Sequence, residues 1–243
     1  MKLDPPLHPP SIRDFIAFEA HIKTLRKMRR KRVPRSWYKM PIHYFGRHLN
    51  VRKSGVTIPW PRYCKEKFDY ELELACVIGK KGKNIPEEDA HLYIAGYTIM
   101  NDWSCRDIQR DEMEGGLGPC MAKPGPSLGP RLVSADALPD LAHMREEPNA
   151  GPLMRAYVNK ELWSEGRFGS IHWSFAQMIA HISQDTTLYP GEVLGSGTVG
   201  TGCGAELERW IQPGDLVELE IEGLGKLRNW VGKPQETTNS GGT

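Results

Sequence analysis

The spacing of apolar residues predicts a helical start to the chain. Apolar side chains recur at three- and four-residue steps at Phe15, Phe18, Ile22, Leu25 and Met28. This spacing predicts an amphipathic helix of about 18 residues that begins at a capping box over residues 11–14 and ends near Pro34. Residues 36–68 are rich in Trp, Tyr, Pro and Gly and are interpreted as an irregular wrap. The capping-box spacing recurs at Ser104 and Asp107, which predicts another short helix.

Beyond residue 68 the pattern changes to that of β-strands. Residues 69–79 alternate and then become wholly apolar, residues 93–102 form a second apolar run, and residues 216–221 alternate again. A hairpin is predicted around Asn159-Lys160, and a helix over about residues 174–184. Many strands and few helices together predict a β-rich α+β fold.

The charge of the chain is unevenly distributed. Of its 32 basic and 30 acidic residues, the first 65 positions hold 16 basic and 3 acidic residues, and the remaining positions hold 16 and 27. A basic segment can mark a nucleic-acid contact. Neither an RNA-binding motif nor a helix-turn-helix accompanies the run from Lys23 to Arg35, so nucleic acid is not expected as a partner. A solvated helix face or a subunit contact explains the run equally well.

Composition also bears on the compartment. No apolar run approaches the ~18–20 residues that a membrane span needs, so no membrane contact is expected. The first residues lack an apolar signal core, and the five cysteines form no CxxC pair. We therefore expect a reduced, cytoplasmic protein.

Two glutamates provide the most informative local feature. Glu71 and Glu73 are two residues apart in a predicted strand, so their carboxylates project from the same side. The strand continues into Cys76-Val-Ile-Gly79, which is apolar enough to be buried. Adjacent buried carboxylates need a cation or protons, and hard divalent ions prefer oxygen ligands. A solvated strand face is the alternative, and for two glutamates alone it is the commoner arrangement.

Three further residues are candidates for chemistry. Asp102 ends the second apolar strand just before a predicted helix, where it is either a site residue or a turn aspartate. Asp14 and His21 are two turns apart on the first predicted helix and share its inward face. The alternatives are a helix cap for Asp14 and a hydrogen-bonded core histidine for His21.

A glycine-rich segment, Gly195-Ser-Gly-Thr-Val-Gly200, matches the GxGxxG pattern. The short stretch before the turn at Pro213-Gly214 leaves no room for the helix of a βαβ unit, so a dinucleotide site is not expected. A loop whose backbone amides and Thr198 hydroxyl approach a small anion fits better.

Together these segments resemble the fumarylacetoacetate hydrolase (fumarylacetoacetase) superfamily over about residues 11–232. The resemblance lies in residues 69–80 with the glutamate pair, the run Ile94-Ala-Gly-Tyr-Thr-Ile-Met-Asn-Asp-Trp-Ser-Cys-Arg-Asp-Ile-Gln109, Ala122-Lys123, and Gly197-Thr-Val-Gly200. It implies a fumarylacetoacetase-type mixed β-sandwich roll with a short helical N-terminal segment. The expected organisation is an N-terminal segment over 1–65, a catalytic domain over 66–236 and a flexible tail over 237–243.

The resemblance also implies a set of site residues. Metal ligands for Mg²⁺ (or Mn²⁺ or Ca²⁺) would be Asp14, Glu71, Glu73 and Asp102. The implied catalytic residues are His21 as general base, Glu206 as the carboxylate that orients it, and Lys123, which stabilises an oxyanion or carboxylate. The implied substrate-binding residues are Arg106, Gln109 and Thr198.

The implied activity is metal-dependent hydrolysis of a carbon–carbon bond in a 1,3-diketo acid, an acylpyruvate or a compound like fumarylacetoacetate, by a homodimer. Decarboxylation, dehydration or isomerisation of a 2-keto acid is the alternative. Two departures leave the substrate open: the family's Lys-x-Phe-x-x-Ser appears as Lys123-Pro-Gly-Pro-Ser127, and Met113 replaces a substrate-contacting tyrosine. The basic N-terminal segment is expected to pack over the acidic body and draw in anionic substrates. No role follows for the cluster Lys27–Arg32.

Overall fold

The computed structural model describes residues 8–116 and 118–234. The strands in these ranges are β1 (Ile12–Phe15), β2 (His43–Phe45), β3 (Arg52–Lys53), β4 (Thr57–Ile58), β5 (Phe68–Asp69), β6 (Leu72–Ile78), β7 (Ile94–Asn101), β8 (Ser104–Cys105), β9 (Ser127–Leu128), β10 (Val133–Ser134), β11 (Leu153–Val158), β12 (Glu161–Arg167), β13 (Val193–Gly195), β14 (Leu216–Ile221) and β15 (Gly225–Val231). The helices are α1 (Glu19–Met28), α2 (Arg106–Glu114), α3 (Phe175–Ile182) and α4 (Gly204–Leu207). Short 3₁₀ turns lie at Arg35–Tyr38, His48–Asn50, Glu87–Tyr93, Ala135–Ala137, Pro139–Ala142 and Phe168–Ser170.

Two packed β-sheets form the body of the protein. The larger sheet has the strand order β2-β1-β13-β6-β7-β9-β3, with β10 paired to β7. The smaller sheet has the order β12-β11-β14-β15-β4, and β5 and β8 form a separate two-stranded ladder. The predicted β-rich α+β fold is therefore confirmed. No helix in the described parts of the chain is both long and apolar enough to cross a membrane.

Alternation along β6 divides the larger sheet into two chemically different faces. Leu72, Leu74 and Cys76 belong to the main core, which they share with Ala156 and Leu219 of the smaller sheet. The residues between them point to the opposite face, because successive side chains of a strand alternate. Glu73 lies on that opposite face with Ala75 and Val77, which belong to a second, smaller apolar cluster. The polar site therefore occupies only part of this face.

The N-terminal helix starts later than predicted, and the capping box at 11–14 is wrong. Residues 12–15 form β1, in which Asp14 pairs with Gly195 of β13 on one side and with Tyr44 of β2 on the other. Helix α1 instead follows Phe18, which makes no side-chain cap. Pairing with a strand far along the chain overrides the local helical periodicity. Asp14 and His21 therefore lie on different elements and not on one helix face.

The predicted end of this helix near Pro34 is also wrong. Helix α1 ends at Met28, and Arg30 adopts a left-handed conformation with φ of 53°. The Lys31 amide then donates to the Arg26 carbonyl at 2.8 Å, which closes the last turn. Glycine is the usual residue at such a position. The sequence therefore contains no signal for this early stop.

Other local predictions have mixed outcomes. The hairpin is confirmed, because Asn159 and Lys160 both have positive φ between β11 and β12. The later helix is also confirmed as α3. The capping box at Ser104 and Asp107 is wrong, since α2 has Cys105 at its N-cap without a side-chain bond. The proposed tail over 237–243 lies outside the described residues.

The segment read as an irregular wrap joins both sheets through short strands. Strands β2 and β3 form the two edges of the larger sheet, and β4 pairs with β15 at one edge of the smaller sheet. The buried Trp37 holds this segment in place, because its indole N–H donates to the Ile16 carbonyl at 2.6 Å. Trp173 in turn donates to the Trp37 carbonyl at 3.0 Å. These bonds fix the segment over the polar face of the larger sheet.

Candidate active site

Four buried carboxylates meet on the polar face of the larger sheet. Asp14 lies on β1 and Glu73 on β6, while Glu71 directly precedes β6 and Asp102 directly follows β7. One oxygen from each side chain lies within 4.8 Å of the others, and all four residues are buried. The sheet therefore concentrates negative charge in one place, although the four residues come from three distant parts of the chain.

A glycine makes the close approach of these carboxylates possible. Gly195 lies on β13, between the strands that present Asp14 and Glu73. A Cβ atom at this position would lie 2.9 Å from Glu73 Oε2 and would also collide with Asp14 Oδ1. The first glycine of the GxGxxG match thus provides space for two carboxylates.

Two of the carboxylates are held by cations. The Lys123 ammonium group lies 2.6 Å from Glu71 Oε2 and 2.6 Å from Asp102 Oδ2. Arg106 Nη2 lies 2.7 Å from Glu71 Oε1, and the Tyr44 hydroxyl donates to Asp102 Oδ2 at 2.6 Å. Burial acts to raise the pKa of Glu71, but the charges of Lys123 and Arg106 outweigh it and lower this pKa to about 2. These contacts keep Glu71 ionised.

The other two carboxylates lack such partners. Asp14 Oδ1 and Glu73 Oε2 are buried and accept no hydrogen bond in the structure. Burial first, and the neighbouring carboxylates second, raise the pKa of both Asp14 and Glu73 well above the ordinary range. Thr198 Oγ1 approaches Glu73 Oε1 only at 3.5 Å. Two buried acids therefore compete for a proton or a cation.

The carboxylate cluster suits a hard divalent cation. It offers only oxygen donors, which Mg²⁺, Mn²⁺ and Ca²⁺ prefer. The orphaned oxygens of Asp14 and Glu73 point to a ligand that supplies positive charge at this spot. The cluster can therefore hold a divalent metal ion, with Asp14, Glu71, Glu73 and Asp102 as the possible ligands.

A histidine–glutamate pair lies beside the carboxylates. His21 on α1 is buried, and its Nδ1 lies 2.8 Å from Glu206 Oε2 on α4. Glu206 is itself fixed, because the Thr201 amide donates to its Oε1 at 3.2 Å. A carboxylate at Nδ1 orients the ring and leaves Nε2 as the nitrogen available for proton transfer.

Arg106 is anchored from behind by a residue that the sequence analysis did not select. Asp69 Oδ2 accepts a hydrogen bond from Arg106 Nε at 2.9 Å, and Asp69 Oδ1 accepts one from the Gly204 amide at 2.8 Å. The Arg106 Nη1 group donates to Gln109 Oε1 at 2.8 Å. Asp69 thus connects the guanidinium group to the segment that holds Glu206.

These groups line one cavity of about 360 Å³. Its floor includes Asp14, Glu71, Glu73, Lys123 and Thr198, and its wall includes His21, Arg106, Gln109 and Met113. Its mouth is lined by three cations of the basic N-terminal run, Arg26, Arg29 and Lys31. Burial and the charges of Arg106 and Arg26 lower the pKa of Arg29, a sign that positive charge accumulates here. An anion entering the cavity therefore meets a favourable potential.

Every residue selected from the sequence lies at this cavity or in contact with a residue that does. Tyr44, Ser104 and Asp69 were not selected from the sequence. The basic N-terminal segment was expected to attract anionic substrates, but no role was assigned to the cluster Lys27–Arg32, which contains Arg29 and Lys31. Ser104 accepts from Lys123 Nζ at 2.8 Å and donates to the Asp102 carbonyl. Tyr44 lies in the wrap segment, where no periodic pattern marks it. Asp69 directly precedes the glutamate pair and could have been found from that proximity.

The fold and the site together define a mixed-sheet enzyme scaffold with a buried acidic cluster. Residues 11–232 match the family described as fumarylacetoacetate (FAA) hydrolase, C-terminal. The chain belongs to this enzyme family, as the resemblance implied. An uncharacterized protein of Staphylococcus aureus (strain USA300) is 33% identical over 181 residues, which is 74% of this chain. The chain spans 57% of the length of that curated relative.

Solved structures with the same fold include both hydrolases and isomerases. A 5-carboxymethyl-2-hydroxymuconate delta-isomerase from Mycobacterium smegmatis is 27% identical, with a TM-score of 0.71 over 93% of this chain and 80% of that one. A fumarylacetoacetate hydrolase from Exiguobacterium antarcticum is 26% identical, with a TM-score of 0.69 over 92% and 76%. A fumarylpyruvate hydrolase from Pseudomonas aeruginosa, solved with Mn²⁺ and pyruvate, is 23% identical, with a TM-score of 0.72 over 96% and 99%. The last likeness concerns the fold.

Proposed function

We propose that this protein is a divalent-metal-dependent hydrolase that cleaves a carbon–carbon bond in a 1,3-diketo acid, such as an acylpyruvate or a compound like fumarylacetoacetate. The observation that supports this most directly is the His21–Glu206 pair at 2.8 Å, because His21 lines the same cavity as Asp14, Glu71 and Glu73. A base that can deliver water beside a site that can bind a chelating keto acid is what this hydrolysis requires.

Asp14, Glu71, Glu73 and Asp102 would hold the ion, which we propose to be Mg²⁺, with Mn²⁺ or Ca²⁺ as substitutes. When bound, such an ion acts as a Lewis acid toward a developing enolate. The protein's part is to keep the ligands ionised and correctly directed. Lys123 does this for Glu71 and Asp102, and Tyr44 adds a second bond to Asp102.

His21 would act as the general base. Glu206 at Nδ1 holds the imidazole ring in place, so Nε2 can remove a proton from a water molecule that attacks the distal carbonyl. The side chains of both residues are buried, which limits competing solvent contacts. The proton would later pass to the carbon atom of the departing fragment, so that an acid and a 2-keto acid or ketone are released.

Several cationic and polar groups would bind the anionic parts of the substrate. Arg106, Gln109 and Thr198 line the cavity wall and floor, and Lys123 can stabilise a developing oxyanion. Arg29 and its neighbours at the mouth favour a substrate with negative charge at its distal end. We propose that the protein is a homodimer located in the cytoplasm. The five free cysteines support the cytoplasmic location, because thiols stay reduced there.

Isomerisation of a 2-keto acid is the second candidate. It is supported by the likeness, at 27% identity, to a structure described as a delta-isomerase. Isomerisation moves a double bond and needs no water, whereas hydrolysis adds one water molecule and yields two products.

The experiment that tests the proposal follows product identity by NMR. Purified protein loaded with Mg²⁺ is incubated with acylpyruvates, fumarylacetoacetate-like diketo acids and oxaloacetate in water enriched in ¹⁸O. Hydrolysis predicts two products in equal amounts, with one ¹⁸O atom in the new carboxylate. A single product that keeps all the carbon atoms of the substrate would support the isomerase instead. Release of carbon dioxide with one keto product and no new carboxylate would support a decarboxylase.

A further inference from the structure

Two buried cysteines form a pair behind the active-site cavity. Cys64 and Cys105 lie with Asp107 in a group whose sulfur and oxygen atoms are all within 4.8 Å of one another. Both cysteines are free, and their exposed fractions are 4% and 0%. No other two cysteines form such a group in residues 8–116 and 118–234.

The surroundings of Cys105 favour its thiolate form. Cys105 is the N-cap of α2, where helical amides and the helix dipole stabilise negative charge. The neighbouring Cys64 thiol lowers the pKa of Cys105, although burial and the Asp107 carboxylate, whose Oδ2 lies 3.8 Å from Cys105 Sγ, act to raise it. The hydrogen bond to Cys105 and burial raise the pKa of Cys64. Its place at the start of α2 therefore makes Cys105 the better candidate for the first nucleophile, with Cys64 as its neighbour.

The third member of the group argues against a metal site. Asp107 Oδ2 accepts backbone N–H bonds from Lys65 at 2.9 Å, Glu66 at 3.1 Å and Lys67 at 3.1 Å. The same oxygen lies 3.4 Å from Cys64 Sγ. Asp107 Oδ2 is therefore committed to these donors, and this side chain serves to hold the turn over residues 65–67. The two sulfurs remain as the reactive atoms of the group.

The turn above Cys64 gives small molecules a route to the pair. Lys65, Glu66 and Lys67, which follow Cys64 directly, are exposed to solvent. Opening of this single turn would uncover Cys64 and then Cys105.

We propose that Cys64 and Cys105 form a reversible oxidation site that reacts with a small hydroperoxide to give an intramolecular disulfide. The Cys105 thiolate attacks one peroxide oxygen, the O–O bond breaks, and the departing hydroxide combines with the proton that Cys105 has released. The Cys64 sulfur then attacks the sulfenic acid of Cys105. The S–S bond forms, and the second hydroxide leaves as water with the Cys64 proton. The balance is two thiols and one hydrogen peroxide giving one disulfide and two water molecules.

The disulfide would affect the active site by displacing the backbone next to Arg106 and Lys123. An S–S bond is about 2.05 Å long, so the sulfurs must move together from their present contact. The Cys105 amide donates to the Ala122 carbonyl at 2.7 Å, and the next residues along the chain are Arg106 and Lys123 respectively. A displacement of about 1 Å at such groups can reduce turnover by ten- to a hundredfold. This consequence rests on the proposed function, whereas formation of the disulfide does not.

The test uses the full chain with Cys120→Ser, because Cys120 is the exposed cysteine and would react first. The protein is treated with hydrogen peroxide, alkylated, digested and examined by mass spectrometry, and its thiols are counted after denaturation. We expect a cross-linked peptide joining positions 64 and 105, the loss of two thiols per chain, and full reversal by dithiothreitol. Cys76→Ala, which removes a buried cysteine outside the pair, should leave this result unchanged, and Cys64→Ala should abolish the cross-link.

Three outcomes would overturn the proposal. One is peroxide treatment that leaves both thiols free, and another is sulfinic acid at Cys105 without a cross-link. The third is stoichiometric Zn²⁺ binding that protects both thiols from alkylation. If the cross-link forms but the metal-induced rise in Tm and the turnover of any identified substrate stay the same, the site is an oxidation site without control of activity. If no substrate is turned over at all, only the proposed function fails.

Discussion

The floor and the mouth of the cavity differ in how their charged groups are held. On the floor, Glu71 and Asp102 have fixed cationic partners at 2.6–2.7 Å, and the buried strands of the larger sheet position the whole cluster. At the mouth, Arg29 and Lys31 are exposed and lie at the end of a ten-residue helix. A buried, preorganised site favours chemistry, whereas an exposed cationic rim favours the selection of anions.

This difference predicts that changes on the floor affect turnover and changes at the mouth affect substrate affinity. The following predictions test this division of roles between floor and mouth, and the largest expected effect comes first.

Glu73→Gln should abolish metal-dependent activity, by more than about four orders of magnitude, since enzymes typically exceed the background rate by at least 10⁶. The same change should leave the metal-free protein as stable as before or more stable, because it removes an unpaired buried carboxylate. Activity assays and the rise in Tm on adding Mg²⁺ measure the two effects.

Glu218→Gln is the matched control for this change. Glu218 is a buried glutamate of the smaller sheet, paired with Arg228 at 2.6 Å and remote from the cavity. Its removal should lower the Tm and leave the Mg²⁺ effect intact. If Glu73→Gln retained the Mg²⁺-induced rise in Tm, Glu73 would not be a ligand.

His21→Ala should lower kcat by about two to four orders of magnitude, the usual span for loss of a general base, while metal binding survives. The pH profile of the remaining activity should lose its dependence on a base. His143→Ala, at an exposed histidine, is the control. Full activity of His21→Ala on the native substrate would contradict the assigned role.

Arg29→Ala should raise KM by about tenfold and change kcat little, which corresponds to the loss of ~1.4 kcal/mol of binding. Lys27→Ala is a matched control on the same helix, because Lys27 is not among the residues that line the cavity. A fall in kcat with an unchanged KM would show that Arg29 takes part in the chemical step. It would contradict the assignment of substrate binding to the mouth.

Raising the ionic strength from about 0.01 M to about 0.15 M should lower kcat/KM by roughly threefold for an anionic substrate, because salt screens exposed charges. In Arg29→Ala this dependence should become weaker. A neutral ester of the same substrate should show no dependence, and equal salt effects on both compounds would speak against electrostatic attraction by the mouth.

More of the residues on the cavity floor than of those at its mouth could be predicted from the sequence. Alternation in residues 69–79 placed Glu71 and Glu73 on one side of a strand, and the structure has them so. The helical periodicity from Phe15 onward was misleading, because β1 forms by pairing with β13, and no local pattern encodes that pairing. The position of Lys31 depends on the left-handed backbone conformation of Arg30. Residues other than glycine seldom adopt this conformation.

Tyr44 shows a second limit of sequence reasoning. Its contact with Asp102 depends on β2 pairing beside β1, and β2 is a three-residue strand in a segment without periodicity. Gly195 is a residue that the sequence pattern marked but did not explain. The GxGxxG match that contains it was conspicuous in the sequence. Its role, which is to leave space for Asp14 and Glu73, became apparent only when the neighbouring strands were known.

The parallel pairing of β1 with β13 has a consequence for the order of events during synthesis. Asp14 leaves the ribosome long before β13, and its strand cannot join β13 until residues 193–195 have been made. Glu206, the partner of His21, follows later still. Contacts that span so much of the chain are slow to form. The acidic cluster therefore assembles only after residues 193–195 have been made, so a nascent chain that ends before β13 lacks the full set of four carboxylates.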